Sequence, residues 1–227
     1  MEIKDTTIAI LEDAFSGCQN IKEVIIPDNV RSIGVRAFNE CYSLENVKFP
    51  ANLVSIGVLA FNECGLFDLE LPDGLKNIDF DAFAYNRNLE NVRIPNSIEK
   101  IGFDVFEGCN KIIFNELNNG LYLGNETDSF VVLFGVENKE IEELELSENT
   151  RIIAYESLKG CNMLSNIILP DSLVEIGNEA FEYCSSLQSI EIPHKVKSIG
   201  ESAFGDCEAL KAVVLPNKYI IINDFAF

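Results

Sequence analysis

Basic residues are scarce, histidine occurs once, and no apolar run approaches the roughly 18 residues needed to cross a membrane. Each shortage excludes something. With 17 basic against 37 acidic side chains, the formal charge of −20 argues against nucleic acid and anionic membrane surfaces as partners. His194, directly after Pro193, offers no partnered imidazole, so general-base or triad chemistry has little to stand on and no enzyme is expected. The N-terminus lacks a basic and apolar export signal. A hydrophobic content of 47% nevertheless excludes disorder and supports a sizeable core.

Cysteine and proline are also few, seven of each, but their placement is regular. Cys18, Cys41, Cys64, Cys109, Cys161, Cys184 and Cys207 recur with Pro27, Pro50, Pro72, Pro95, Pro170, Pro193 and Pro216 in a segment of about 23 residues. A residue type that returns once per coil is a stacking position before it is a chemical one. Ala-Phe pairs keep the same frame at Ala14-Phe15, Ala37-Phe38, Ala60-Phe61, Ala82-Phe83, Ala180-Phe181, Ala203-Phe204 and Ala226-Phe227. With weaker versions at Val105-Phe106 and Ser157-Leu158, nine turns or part-turns result. Asn86 replaces the cysteine in one of them.

The segment before each proline alternates, as in Val47-Lys48-Phe49 and Ile190-Glu191-Ile192, which is the period of a strand with one buried face. Proline ends that strand because it cannot donate to the next ladder position. Glycine at Gly34, Gly57, Gly102, Gly177 and Gly200 suggests a turn with positive φ; Asp79 can substitute there, and Ala154 makes its turn suspect. The Ala-Phe-x-x-Cys-x-x-Leu stretch has the three-or-four spacing of a single helical or 3₁₀ turn packed inward. No unit of this size buries its own apolar face, so the coils must stack around one shared core, and residues 1–227 read as a single solenoid domain.

The combined Ala-Phe-x-x-Cys-x-x-Leu-x-x-Ile-x-Ile-Pro frame resembles the bacterial BspA-like leucine-rich repeats, a 23-residue class found in surface antigens, and the likeness covers nearly the whole chain. The resemblance implies a right-handed, mostly β leucine-rich-repeat solenoid of the α/β type with a parallel sheet on its concave side. It also implies a noncatalytic interaction or adhesion domain, at the cell surface or secreted, that binds a host or bacterial protein. A structural spacer of a surface protein and an intracellular scaffold are the competing readings. Both chain ends fall inside a repeat without a polar cap, so a piece of a longer protein is expected, or ends that touch further repeats or a partner.

Neither a cofactor nor a metal site is expected. Stacked cysteines would hold their Cβ atoms near the strand spacing of about 4.8 Å, outside the usual disulfide range of roughly 3.5–4.5 Å. They lie 22 or more residues apart rather than at metal-binding spacing. Glu142, Glu143, Glu145 and Glu148 form the densest acidic run without a calcium-loop signature.

Two surfaces are candidates for recognition. The outward strand positions are Ile25, Lys48, Glu70, Arg93, Glu145, Ile168, Glu191 and Val214, a mixture that suits a protein better than a carbohydrate because it has no aromatic row. The other candidate is the one break in the frame, where 52 positions separate Cys109 from Cys161. Asn119-Gly120 and Gly124-Asn125 are hairpin signals, so a β-hairpin near residues 115–139 is expected to leave the solenoid and pack back on it. Tyr122, Asn125 and Phe130 are its candidate contacts.

Overall fold

The computed structural model describes residues 3–216 and 219–227. Two compact units divide the chain, Met1–Ile113 and Phe114–Phe227. Strands and turns build both of them.

The first unit alternates three-residue strands with two-residue rungs. The longer kind are β1 (Glu23–Ile25), β3 (Asn46–Lys48), β5 (Asp68–Glu70) and β7 (Asn91–Arg93); the rungs are β2 (Ser32–Ile33), β4 (Ser55–Ile56), β6 (Asn77–Ile78) and β8 (Lys100–Ile101). Pairing is parallel and follows the repeat: Val24 lies opposite Val47, Leu69 opposite Val92, and Ile33, Ile56, Ile78 and Ile101 form one column. Those isoleucines are buried, as are Val24 and Leu69 at the centres of their strands, because period-two alternation turns the middle side chain inward. Pro27, Pro50, Pro72 and Pro95 then each open a turn. Pro27 O accepts from Val30 N at 3.0 Å and Pro50 O from Leu53 N at 3.1 Å.

The Ala-Phe-x-x-Cys stretch is not the helical or 3₁₀ turn that its spacing predicts. The N–H groups of Ala37, Asn39 and Cys41 bond within their own coil, to Gly34 O, Arg36 O and Phe38 O, whereas those of Arg36, Phe38 and Glu40 reach Val58 O, Ala60 O and Asn62 O of the next. Stacking takes every second donor, so a helical ladder cannot propagate. Arg36 and Glu40 are left-handed at φ 52° and 59°, and their counterparts Asp81 and Tyr85 repeat the conformation.

Positive φ therefore belongs to these positions and not to the five frame glycines. Gly34 is required for space: a Cβ there would stand 2.7 Å from Glu12 N and Leu11 C of the preceding coil. Asp79 is likewise not among the left-handed residues, which include Asp81 two places on. Ala154 directly follows the two-residue strand Ile152–Ile153, its N–H donating to Leu133 O at 2.9 Å, and it too is not among the left-handed residues.

The second unit begins with β9 (Asn115–Leu117), β10 (Gly120–Leu123) and β11 (Val132–Val136), paired antiparallel in that order. From β11 the ladder turns parallel and runs through the rungs β13 (Ile152–Ile153), β15 (Glu175–Ile176), β17 (Ser198–Ile199) and β19 (Ile221–Ile222). The expected hairpin is thus a three-stranded meander whose last strand serves as a rung instead of leaving the stack. Its first turn uses Asn118 and Asn119, both with positive φ, and the Asn119 amide bonds Asn138 twice, at 2.9 and 3.0 Å. The longer strands β12 (Glu143–Glu145) and β14 (Asn166–Ile168) pair, as do β16 (Ser189–Glu191) and β18 (Ala212–Val214).

Phenylalanine forms a spine in each unit. Ring centroids are 5.0 Å apart for Phe15–Phe38, 5.1 Å for Phe38–Phe61 and 5.4 Å for Phe61–Phe83 in the first, and 4.9 Å for Phe181–Phe204 and 5.2 Å for Phe204–Phe227 in the second. Those separations match one coil of rise, so one aromatic per repeat gives continuous offset stacking.

Candidate interaction surface

The longer strands carry the candidate face. In β1 and β5 the middle residue is buried and both flanking residues are exposed, and β12, β14 and β16 follow the same rule. Pairing places Ile25 beside Lys48 and Glu70 beside Arg93 in the first unit, and Glu145 beside Ile168 and Glu191 beside Val214 in the second. A second outward row accompanies each: Glu23, Asn46, Asp68 and Asn91, then Glu143, Asn166, Ser189 and Ala212. Sequence reasoning missed that row although the same alternation reveals it, two residues before each named position.

Arg93 is committed within the fold. One guanidinium nitrogen donates to Leu71 O at 2.9 Å and another meets Asp73 Oδ1 at 2.9 Å, so this half-buried side chain braces its coil to the preceding one. Lys48 is exposed, while Asn91 Nδ2 donates to Asp68 Oδ1 at 2.7 Å. In the second unit Glu145 receives the Asn118 amide at its carbonyl oxygen, at 3.3 Å. Ile168 is 76% exposed and Val214 55%, unusually high for aliphatic strand residues. With Glu191, Asp171, His194 and Leu215 they line a groove of about 540 Å³.

The insertion residues are placed differently. Tyr122 is fully buried, with Phe130 packed edge-on at 5.5 Å, so this aromatic belongs to the core and not to a recognition surface. Phe130 is partly buried against the same core. Asn125 organises its own loop: its Oδ1 accepts from Thr127 N at 3.1 Å, Thr127 Oγ1 at 2.7 Å and Asp128 N at 3.2 Å. The meander buries its aromatics because β10 and β11 are interior strands of the sheet.

All seven cysteines are free thiols. Five of the sulfurs have a polar task as well as a packing one. Cys41 Sγ donates to Phe15 O at 3.2 Å, Cys64 to Phe38 O at 3.2 Å, Cys109 to Phe83 O at 3.2 Å, Cys184 to Leu158 O at 3.3 Å and Cys207 to Phe181 O at 3.1 Å. Phe38 O also takes Cys41 N–H, so the thiol of the next coil satisfies the second lone pair of a buried carbonyl. Burial pushes the Cys41, Cys109 and Cys207 thiols up to about 11, which keeps them protonated donors and withholds the thiolate that oxidation or metal binding needs.

Asn86 shows the same logic in another residue: its Nδ2 donates to Phe61 O and Phe83 O, both at 2.8 Å. Cys64→Asn should therefore remain nearer the parent stability than Cys64→Ala, which loses about 1–2 kcal/mol. Urea midpoints measure the order, and alanine proving the milder change would show that the sulfur only fills space.

Among the described residues, no group of three histidine, cysteine or acidic side chains is placed to hold a metal ion. No described helix is long and apolar enough to cross a membrane.

The BspA type leucine rich repeat region, in six copies, matches residues 3–126 and 134–227. A leucine-rich repeat protein of T. pallidum is 24% identical with a TM-score of 0.52, over 82% of this chain and 77% of that one. Its likeness is one of fold. A leucine-rich repeat protein from Bacteroides ovatus is 24% identical over 99% of this chain and 82% of its own, with a TM-score of 0.42. For the pneumococcal vaccine antigen PcpA the values are 19%, 98%, 63% and 0.44. No functionally curated protein matches. The repeat frame, the parallel coils and the extent of the family match agree: the chain belongs to the BspA-type leucine-rich repeat family.

Proposed function

We propose that this chain is a noncatalytic protein-binding domain of a bacterial cell-surface or secreted protein, with residues 1–227 acting as one solenoid that engages its partner through exposed strand faces. The observation that carries the reading is the double outward row on the longer strands of each unit, where in-register pairing sets side chains about 23 residues apart in sequence next to one another. Backbone ladders fix these residues before any partner arrives, which lowers the ordering cost of association. The resemblance to the BspA-type family supports surface placement.

Lys48→Glu and Ile168→Asp test the two faces separately. Both side chains are exposed, so each variant should melt within about 0.5 kcal/mol of the parent. Pull-downs from host and bacterial protein mixtures should lose captured species with at least one of them. Arg93 is unsuitable for this purpose, since reversing its charge also breaks the brace to Asp73 and Leu71. An identical captured set with both variants would count against strand-face binding.

A further inference from the structure

The two faces differ in charge. In the first unit Lys48 and Arg93 are interleaved with Glu23, Asp68 and Glu70, whereas the eight outward positions of the second unit hold Glu143, Glu145 and Glu191 and no lysine or arginine. The groove across β14, β16 and β18 concentrates that difference. Asp171 and Glu191 line it, no described lining residue is lysine or arginine, and Ile168, Val214 and Leu215 leave 76%, 55% and 41% of their surface uncovered.

Resting on the reading above, we propose that this groove binds a cationic, aliphatic-bearing segment of a partner protein, its lysine or arginine reaching Glu191 and Asp171 while an aliphatic side chain covers Ile168 and Val214. Each half of that chemistry answers an observation. Three large aliphatic side chains exposed within one groove gain by being covered, which singly exposed ones scattered over a surface do not require. Carboxylates in a groove whose described lining holds no lysine or arginine attract a cation and reject an acidic segment, so charge sets the choice of partner and apolar contact sets its lifetime. Anionic lipid or nucleic acid would meet the same repulsion.

The experiment is a titration of the whole chain with a short labelled peptide alternating lysine with leucine, and with its glutamate–leucine counterpart, at physiological ionic strength. The lysine peptide should bind and the glutamate peptide should not. Glu191→Gln should weaken binding about threefold to fivefold and Ile168→Asn about tenfold. Glu63→Gln removes the same charge from an exposed position of the first unit outside both strand rows and should change nothing; a drop equal to that of Glu191→Gln would reduce the effect to net charge and overturn the proposal. Should the glutamate peptide bind as tightly while Ile168→Asn weakens both, the assigned chemistry fails and the binding face survives. Binding that ignores Ile168 and Glu191 together would remove the groove from the functional reading as well.

Discussion

Phe61→Ala should cost about 3–5 kcal/mol, the expected loss for a large aromatic cut from a core that cannot collapse around the gap. Phe61 is fully buried, stacked between Phe38 at 5.1 Å and Phe83 at 5.4 Å, with Phe49 edge-on at 5.6 Å. Truncation removes three ring contacts' worth of dispersion from one place and leaves two parallel rings facing a void. The coils cannot slide together to close it. Phe38 N, Phe61 N and Phe83 N are tied to Ala60 O, Ala82 O and Val105 O at 2.8, 2.8 and 3.0 Å, which holds the coil spacing. Denaturant unfolding should show a midpoint shift, and a melt should fall by roughly 10 °C. Because neighbouring coils carry most of each other's stability, amide exchange should accelerate first at Phe38 and Phe83. Phe80→Ala is the internal comparison: its ring stacks on Phe103 at 4.8 Å but is 37% exposed, so about 1 kcal/mol is expected. Equal losses at both sites would mean that the spine contributes no more than a surface pair.

What the sequence reveals and what it hides follow from the same stacking. The strands, the shared core and the Phe spine were legible because burial imposes a period, and Val24, Ile33 and Phe38 obey it. The outward residues could be named for the same reason. Hidden were features decided by the next coil rather than by local sequence. The Ala-Phe stretch has helical spacing, yet Arg36, Phe38 and Glu40 spend their N–H groups on a neighbour 22 residues away. Tyr122 reads as a contact residue on a hairpin strand that leaves the stack, yet that strand is interior to the sheet and the side chain is buried. The thiol hydrogen bond had one written clue, Asn86, since a buried amide in a cysteine frame implies a donor. Arg93 looks like any outward charge until Asp73, in the preceding coil, is found within 2.9 Å.

Glycine at the rung end separates two physical accounts whose predictions differ in sign. Were Gly102 needed for a left-handed backbone, it and Gly57 would be equally intolerant of a side chain, at about 1–2 kcal/mol each. Neither is left-handed in this fold, so conformational entropy alone predicts that alanine stabilises both by about 0.4–1 kcal/mol. Space opposes that gain unequally. A Cβ on Gly102 would come within 2.3 Å of Phe80 N and 2.6 Å of Asp79 C, atoms of a backbone locked in the adjacent coil, whereas a Cβ on Gly57 would reach 3.0 Å from Gly34 C and Val35 N. Gly102→Ala should thus be destabilised by about 2–3 kcal/mol through a forced coil separation, and Gly57→Ala should lie within about 1 kcal/mol of the parent. Gly200, at 2.3 Å from Asn178 N, should repeat the Gly102 result in the second unit. Urea unfolding of the three variants reads the ranking directly. Equal losses at Gly57 and Gly102 would restore the conformational account, and a gain at Gly102 would show that the coils separate freely, contrary to the ladder that the Phe61 argument relies on.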